Sequence, residues 1–465
     1  MIPDVRVCGR WARSTMSSVP GSTGTGPDRL SPTVDRFGHG IDPSVGYARG
    51  RILRGPVEDA IRRESAYRLM RKRREAEPAQ AFFNFTGLHR HFPLTGADLA
   101  AGIGDDWTGP ASFGPALEGL AREHMGAGTE AAVAVFNRCS AGIVATILGL
   151  VASGESVLSV VPRGRSHPSV LQGARLAQAE LVEVEEGADL DAAVGSRRVA
   201  LAILTGVTSE LDVLSLDSLT ATIRFCRARE IPSLVDDAYG SRLRPTLYDQ
   251  PRTCSLDVDL GITSCDKAGM LGPRAGLLVG TPRYVYRALS RGSELGLEAR
   301  APLAAAVLRT LEQYTPSQLE TEVALGRQLT DVLARRYGPG RVRQTAIGPA
   351  ISEEDVLEIA AERAGLAPED AVLVPAEASC ALGMALLRDW RVITVNAAAQ
   401  PGARVSLRLK PAPQEVERFG GAEAVLEAID RSFDLVGGLL RDEEAARGLI
   451  FTADLAAVGK DPGAR

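Results

Sequence analysis

The chain has 465 residues, of which 45% are hydrophobic and 24% are charged, and its formal net charge is −5. This length suffices for a large domain and a smaller one without disulfides or a structural metal, and the charge gives no reason to expect tight nucleic-acid binding by the whole molecule. The six cysteines form no CxxC pair, no apolar run reaches the roughly 18 to 20 residues that span a bilayer, and no signal-peptide pattern opens the chain. We therefore expect a cytoplasmic protein that is not inserted in a membrane.

The first 80 residues differ from the rest, because they carry a net charge of +6. Residues 17–46 are rich in Ser, Pro, Gly and Thr and show no apolar period, so we expect a flexible leader over residues 1–54. Met1 and Met16 are both candidate starts. Residues 55–80 predict a charged N-terminal helix, with a sparse apolar stripe that could pack on a neighbouring subunit.

From about residue 81, short apolar runs alternate with helical segments, which is the pattern of βαβ units around a mostly parallel sheet. Continuous apolar strands are typical of a sheet that helices cover on both faces. We expect one large domain over residues 81–300. Its predicted strands are Ala132–Phe136, Ser156–Val161, Val199–Thr205, Pro232–Val235, Gly261–Ser264 and Ala275–Val279, and its predicted helices include Ser140–Ala152 and Leu216–Arg229.

Residues 301–460 predict a long connecting helix and a smaller C-terminal domain. The helix runs from about Pro302 to Tyr337, where Gly338 and Pro339 end it. Beyond it the pattern mixes α and β. Helices are predicted near Glu353–Ala364, Ala376–Arg388 and Ala422–Leu440, and strands near Arg391–Asn396 and Arg404–Leu409.

Lysine is rare in this chain: four lysines, Lys72, Lys267, Lys410 and Lys460, stand among 53 basic residues. Arginine supplies surface charge as well as lysine does, but it cannot be deprotonated at useful pH and so cannot form an imine. A bias towards arginine codons explains the scarcity. It does not explain why Lys267 follows an apolar strand and precedes a glycine-rich turn, so we interpret Lys267 as a candidate covalent centre.

Elements upstream of Lys267 are what the binding of pyridoxal phosphate (PLP) requires. In FNRCSAG (136–142) a strand ends and a helix begins, so free backbone N–H groups and the hydroxyl of Ser140 can receive a phosphate. The alternative is that Ser140 is a plain N-cap. Further on, His167 precedes a proline and could stack on a pyridine ring, or it could be a hydrogen-bonded structural histidine.

A buried strand then ends in Asp236 and Asp237, at the sheet edge where ligands bind. Asp236 would pair with the protonated pyridine nitrogen, which keeps the ring electron-poor, while Asp237 would face elsewhere. The alternative is that both aspartates cap the next helix. Ser264 can bond the phosphate, and Lys267, once displaced from its Schiff base, would move protons.

This order of phosphate turn, stacking residue, Asp and Lys resembles the aspartate-aminotransferase-like class, PLP fold type I. Within that class, FNFTG (83–87), FNRCSAG, VDDAYGS and CDKAGMLGPRAGLLVG resemble bacterial selenocysteine synthase, the L-seryl-tRNA selenium transferase, and more closely its archaeal-type relatives. The resemblance covers about residues 81–300. It implies an α/β fold, with a mostly parallel seven-stranded sheet in the large domain and a smaller C-terminal α+β domain.

Residue by residue, the resemblance implies Lys267 as the Schiff-base lysine and Asp236 as the pyridinium partner. Cofactor contacts are implied for Cys139, Ser140 and Ser264. We also expect Ala141 and His167 to contact the cofactor, and His167 to be catalytic together with Lys267 and Asp236, although the synthase is not generally marked by SHPS at this position. In the wider class a late arginine binds the substrate carboxylate, for which Arg404 fits better than Arg408. Arg274, His89 and Arg90 would help to form the mouth of the site. We expect no metal.

The implied reaction is a transferase or lyase reaction at the β-carbon of a serine-like or O-activated amino acid, through an aminoacrylate intermediate. One alternative is an aminotransferase or lyase acting on a free small amino acid, and another is a non-catalytic PLP-fold scaffold or regulator. The basic N-terminal segment could be a reduced tRNA-binding domain, but its interleaved acids and lack of aromatic platforms argue against that. Sites of this class commonly form between subunits, so we expect a homodimer or a larger homo-oligomer.

Overall fold

A computed structural model describes residues 34–78, 82–399 and 403–456. Strands and helices alternate along these residues. The strands are β1 (Ile41–Asp42), β2 (Tyr47–Ala48), β3 (Phe83–Asn84), β4 (Ala132–Phe136), β5 (Ser156–Val161), β6 (Glu180–Glu185), β7 (Val199–Thr205), β8 (Ser233–Asp236), β9 (Leu260–Ser264), β10 (Gly276–Gly280), β11 (Arg343–Gln344), β12 (Pro349–Ile351), β13 (Val392–Ile393) and β14 (Leu407–Arg408). The helices are α1 (Pro56–Ala76), α2 (Gly96–Ala100), α3 (Gly109–Met125), α4 (Cys139–Leu150), α5 (Pro168–Leu176), α6 (Leu190–Val194), α7 (Leu216–Ala228), α8 (Gly240–Leu247), α9 (Pro282–Glu294), α10 (Ala301–Gln313), α11 (Pro316–Tyr337), α12 (Glu353–Ala364), α13 (Pro375–Trp390), α14 (Val395–Ala398), α15 (Pro413–Phe419), α16 (Ala422–Leu439), α17 (Glu443–Ile450) and α18 (Ala453–Ala456).

A seven-stranded sheet in the order β4-β10-β9-β8-β7-β5-β6 forms the centre of the large domain. Strand β10 runs antiparallel to both of its neighbours, and the other six strands are parallel to one another. Successive side chains point to opposite faces. One face packs under α4, α5 and α9, and the other packs under α3, α7 and α10. The predicted α/β fold with a mostly parallel seven-stranded sheet is confirmed.

Two local expectations about strands were wrong. Strand β6 was not predicted, because its sequence ELVEVE alternates glutamates with apolar residues; it is an edge strand that pairs with β5 alone. The segment Arg391–Asn396, predicted as one strand, forms a two-residue strand, β13, and then turns into the short helix α14. A pairing partner as short as β3 allows only two residues of ladder.

The long connecting helix predicted for Pro302–Tyr337 is two helices, α10 and α11. Tyr314 and Thr315 between them are extended, with ψ of 132° and 143°. The cause is Pro316, because a proline disfavours helical backbone in the residue before it. Thr315 then starts the second helix in a capping box with Gln318.

A second apolar core lies in the C-terminal part of the chain, among α11, α12, α13 and α16. Residues from the expected flexible leader are part of it: Tyr47, Ile52 and Leu53 are buried there. The buried carboxylate of Glu377 accepts the backbone N–H groups of Ile52 and Leu53 at 2.6 and 2.8 Å. The leader expectation is therefore wrong for residues 34–54, because apolar burial and this carboxylate hold them; residues 1–33 lie outside the described part.

Helix α1 packs on its own chain, against α13 and α14. Arg62 of α1 is fully buried, and its guanidinium donates to the carbonyl oxygens of Asn396, at 2.7 Å, and Ala397. At least one basic side chain of the charged helix is therefore buried inside the molecule and does not contribute to its surface charge. Over the described residues, we find no helix with the length and apolar character needed to cross a membrane.

Candidate active site

The sheet brings the predicted site residues together at one edge. Because six strands are parallel, their carboxyl ends meet there. Helix α4 begins after β4, and His167 follows β5. Asp236 ends β8, and Lys267 lies just past the end of β9. Segments more than one hundred residues apart in sequence thereby face one space.

The start of α4 is open to an anion. Arg138 occupies the N-cap position in an extended conformation, and no side chain caps the helix. Ser140 is inside the first turn, so it is not the N-cap that the alternative interpretation required. The first N–H groups of a helix have no partners within it and carry partial positive charge, which suits a phosphate.

Strand β10 lies directly behind this turn. A Cβ atom added at Gly276 would lie 2.6 Å from the backbone nitrogen of Cys139 and 2.7 Å from the carbonyl oxygen of Arg138. Only glycine permits so close an approach of strand and helix. In the ladder Gly276 stands between Phe136 and Ser264, so it also joins the phosphate turn to the strand that precedes Lys267.

Cys139 and Ser264 lie side by side in this region. Burial raises the pKa of the Cys139 thiol to about 12, although the nearby charge of Lys267 opposes the rise. The thiol therefore stays protonated and is not a nucleophile at ordinary pH. Ser264 Oγ donates to Asp266 Oδ1 at 2.5 Å, and its contact with the Cys139 side chain places this hydroxyl beside the start of α4.

Asp236 is buried, and within the described part of the chain it forms no ion pair with a cationic side chain. Burial raises its pKa to about 6, against the opposing charge of Lys267. Asp237 has a different surrounding: it pairs with the buried Arg244 and accepts from Thr253 Oγ1 at 2.6 Å. Helix α8 has Tyr239 at its N-cap without a side-chain cap, so neither aspartate caps it. A positively charged ring nitrogen would supply the partner that Asp236 lacks.

His167 caps α5, where its Nδ1 accepts the backbone N–H of Ser169 at 3.1 Å. The alternative structural role is therefore present. Burial, together with the charges of Lys267 and Arg138, lowers the pKa of His167 to about 3. The imidazole is thus neutral at ordinary pH, and it lies close enough to Lys267 for the charge of that lysine to affect it. Its role as a stacking partner stays a prediction.

Four guanidinium groups form what we call the basic cluster: Arg63, Arg90, Arg138 and Arg274. Burial and the charges of Arg138 and Arg90 lower the pKa of Arg274 to about 10. Burial also lowers the pKa of Arg138, and Arg90 and Arg63 add to this. One carboxylate, Asp266, opposes these charges, with its Oδ2 at 3.4 Å from Arg90 Nε.

The remaining predicted residues lie further from Lys267 or have other partners. His89 Nε2 lies 3.1 Å from Glu322 Oε1, so its ring is turned to α11. The favoured Arg404 bonds the carbonyl of Gly46 and lies 3.4 Å from Glu353 Oε1. Arg408 is 5% exposed, and its charge acts on Tyr239 in the site. Of the two late arginines, the structure brings Arg408 next to the site.

Sequence reasoning missed Tyr239, Lys410 and the cationic role of Arg138. Lys267 Nζ lies 5.0 Å from the centroid of the Tyr239 ring, within the range of a cation–π interaction. Tyr239 stands three residues after Asp236 in VDDAYGS, a segment already singled out. The rarity of lysine was the available signal for Lys410.

These residues fit PLP. The open start of α4, Arg138 and Ser264 would hold its phosphate, Lys267 would hold its aldehyde carbon, and Asp236 would face its ring nitrogen. The uncompensated Asp236 and the glycine-backed turn are what such a group requires. Over residues 34–78, 82–399 and 403–456, no group of three or more His, Cys, Asp or Glu side chains is arranged to hold a metal ion.

Comparisons with known proteins agree with this geometry. No family model matches the chain. It is 34% identical over 86% of its length, and over 100% of the relative, to a UPF0425 pyridoxal phosphate-dependent protein of Methanothermobacter thermautotrophicus. It is 28% identical to a protein of the same description from Methanosphaera stadtmanae, with coverage of 81% and 94%. N-succinyldiaminopimelate aminotransferase from Mycobacterium tuberculosis has the same fold, with a TM-score of 0.53, 18% identity, and coverage of 81% of this chain and 97% of that one. The aspartate-aminotransferase-like fold is thus confirmed, and the chain belongs to the UPF0425 family of pyridoxal phosphate-dependent proteins.

Proposed function

We propose that this protein is a PLP-dependent transferase that replaces a group at the β-carbon of a serine-like amino acid whose hydroxyl is activated by an anionic group. The basic cluster carries this proposal. Asp266 supplies one negative charge against these four guanidinium groups, which leaves the cluster suited to a further anion. A cofactor phosphate at the start of α4 would supply part of the negative charge that the basic cluster can bind. A phosphoryl group on the substrate suits the rest.

The residues of the site have distinct tasks in such a reaction. Bound PLP would supply the electron sink at Cα, and Asp236 would keep its ring nitrogen protonated. The amine of Lys267 removes the proton from Cα. The bond from Cβ to oxygen breaks, and phosphate leaves with the electron pair. Arg90 and Arg274 stabilise that charge, a nucleophile adds to Cβ, and the Lys267 ammonium returns the proton to Cα.

The resemblance to selenocysteine synthase supports addition of a nucleophile, because that enzyme adds selenium to a seryl unit. A free small amino acid is favoured over a seryl-tRNA as substrate. In helix α1, Arg62 and Arg73 donate to backbone carbonyls of their own chain, and Arg62 is fully buried, so fewer basic groups are left free for a nucleic acid. We further propose that the protein works as a homodimer or larger homo-oligomer in the cytoplasm.

The test is to load the protein with PLP and to add O-phosphoserine, serine and cysteine singly. O-phosphoserine should release inorganic phosphate, with pyruvate and ammonia as the other products when no nucleophile is present. Sulfide should divert the product to cysteine and suppress pyruvate. Arg274→Met should slow O-phosphoserine more than serine, since only the former carries the anion.

Each other outcome contradicts the proposal in a recognisable way. Keto acid formation without phosphate release, accompanied by transfer of the amino group to a keto acid acceptor, would indicate an aminotransferase. Pyruvate that sulfide does not suppress would indicate a lyase. A PLP-loaded protein whose spectrum and products stay unchanged with all three amino acids would favour the scaffold or regulator.

A further inference from the structure

Lys410 is a second buried amine at the Lys267 site. Lys410 is 3% exposed and follows strand β14. The backbone N–H of Lys410 donates to the carbonyl of Phe85 at 3.0 Å. Gly87 lies against the Lys410 stem, since a Cβ at Gly87 would lie 2.6 Å from Lys410 Cβ. Strand β14 and the FNFTG segment therefore fix the position of this amine together.

The ring of Tyr239 lies near both amines. Lys410 Nζ donates to Tyr239 Oη at 3.2 Å. The Nζ atoms of Lys267 and Lys410 lie 5.0 and 5.4 Å from the centroid of the ring. Tyr239 is 5% exposed, so water screens these charges weakly. A single buried phenol thus links the proposed covalent centre to a second amine.

Three positive charges act strongly on Tyr239, those of Lys410, Lys267 and Arg408. Burial alone would raise the pKa of the Tyr239 phenol, but these charges lower it below its usual value of 10.0. Arg408 is partly neutralised by Glu210, whose Oε1 lies 3.5 Å from Arg408 Nη1. Lys410 makes no ion pair with a carboxylate in the described part of the chain, so the Tyr239 oxygen is its partner.

The same groups act on Lys410. Burial lowers the pKa of its amine, the charges of Arg408 and Lys267 lower it further, and Tyr239 opposes the change. The positive charges of Lys410 and Lys267 also repel each other.

We propose that Lys410 is a positioning residue for Tyr239: its ammonium group holds the tyrosine oxygen beside Lys267 and adds a positive charge that acts on both residues. The inference rests on the proposal that Lys267 is the reactive amine. It does not depend on which amino acid is the substrate or which reaction follows.

The first test uses the full-length protein without cofactor. The near-ultraviolet absorbance of tyrosinate is followed against pH in the wild type and in the Tyr239→Phe, Lys410→Met and Lys410→Arg variants. The wild type should contain one tyrosine that titrates below the ordinary range and that is missing in Tyr239→Phe. In Lys410→Met its midpoint should rise by on the order of one pH unit, because one positive charge is gone. Lys410→Arg should restore the low midpoint.

The second test follows the visible absorbance of the PLP-loaded protein against pH. Loss of the charge in Lys410→Met should raise the midpoint of this titration too, and Lys410→Arg should bring it back. Lys72→Met is the matched control, because Lys72 is an exposed lysine of α1 and should change neither midpoint.

Two results would overturn the inference. One is a wild type in which no tyrosine absent from Tyr239→Phe titrates early; this comparison needs no Lys410 variant and holds even where Lys410→Met does not fold. The other is a raised tyrosinate midpoint with an unchanged visible midpoint, which would break the link to Lys267. A protein that shows both shifts but releases no phosphate from O-phosphoserine would refute the proposed reaction and leave this inference standing.

Discussion

Asp236 combines a cost in stability with a role in binding. Its carboxyl is raised from 3.8 to a pKa of about 6 by burial, so between those values the unfolded chain has lost the proton that the folded chain keeps. Stability of the cofactor-free protein attributable to this group is therefore full below about pH 4 and is lost as the pH rises to about 6.

Asp236→Asn removes this dependence. We predict that the cofactor-free variant is more stable than the wild type at pH 7 by about 2 to 3 kcal/mol, and that the difference fades below about pH 4. Its affinity for PLP should fall, because the ring nitrogen loses its anionic partner. Urea denaturation at several pH values measures the first effect, and dialysis against limiting PLP measures the second. A variant that is less stable at pH 7 than at pH 4, relative to the wild type, would contradict the assignment.

The imidazole of His167 is neutral in the site. For PLP binding we therefore expect the flat shape of its ring to matter more than its ability to take up a proton. His167→Phe should retain PLP nearly as well as the wild type, whereas His167→Ala should bind it on the order of tenfold more weakly, as expected for the loss of one aromatic contact. Fluorescence titration with PLP measures both. Equal losses in the two variants would instead point to the bond between His167 and Ser169 as the feature that matters.

At the residue scale, sequence patterns revealed what is local. Lys267 stood out by rarity and Asp236 by its place at the end of an apolar strand. The contact between Tyr239 and Lys410 joins residues 171 positions apart, so no local pattern could reveal it. The pairing of Asp237 with Arg244, likewise, depends on how helix α8 folds back on the sheet.

At the scale of elements, the packing of α4 on β10 is the feature that shapes the phosphate turn. Gly276→Ala would place a methyl group 2.6 to 2.7 Å from backbone atoms of Arg138 and Cys139. We predict a loss of about 1 to 3 kcal/mol in stability and weaker PLP binding, since the start of α4 must shift. Gly119→Ala is the matched control: Gly119 lies on the exposed face of helix α3 with nothing within 4 Å of the added methyl group, and the change should be neutral or stabilising by up to about 1 kcal/mol. Thermal unfolding with and without PLP compares them, and equal effects would rule out the close approach.

The strands were predictable because burial on both faces leaves continuous apolar runs, and β4, β5 and β7 have the predicted bounds. Pro316 was a local signal for the break between α10 and α11. The continuous apolar period of the segment nevertheless favoured the prediction of a single helix. Edge strand β6 lacked the apolar signature altogether. Strand pairing across the sheet, which sets the site, was implied by family resemblance and not by any local pattern.

At the scale of the whole molecule, the N-terminal segment ties itself to the C-terminal core. Removal of residues up to 54 should expose the pocket that Ile52 and Leu53 fill, at about 1.5 to 3 kcal/mol for each side chain. It would also take from the buried Glu377 carboxylate the N–H donors of Ile52 and Leu53. We predict a much less stable protein than a matched chain that starts at residue 34. Denaturant unfolding compares the two, and equal stability would contradict this packing.

The central claim is that Lys267 anchors PLP while its neighbour Lys410 does not. The most direct measurement is reduction of the PLP-loaded protein with borohydride, followed by digestion and mass spectrometry of the lysine-containing peptides, with Lys267→Ala as the control. We predict one phosphopyridoxyl group, on Lys267, and none in the control. A label on Lys410, or an unlabelled wild-type protein, would contradict the claim.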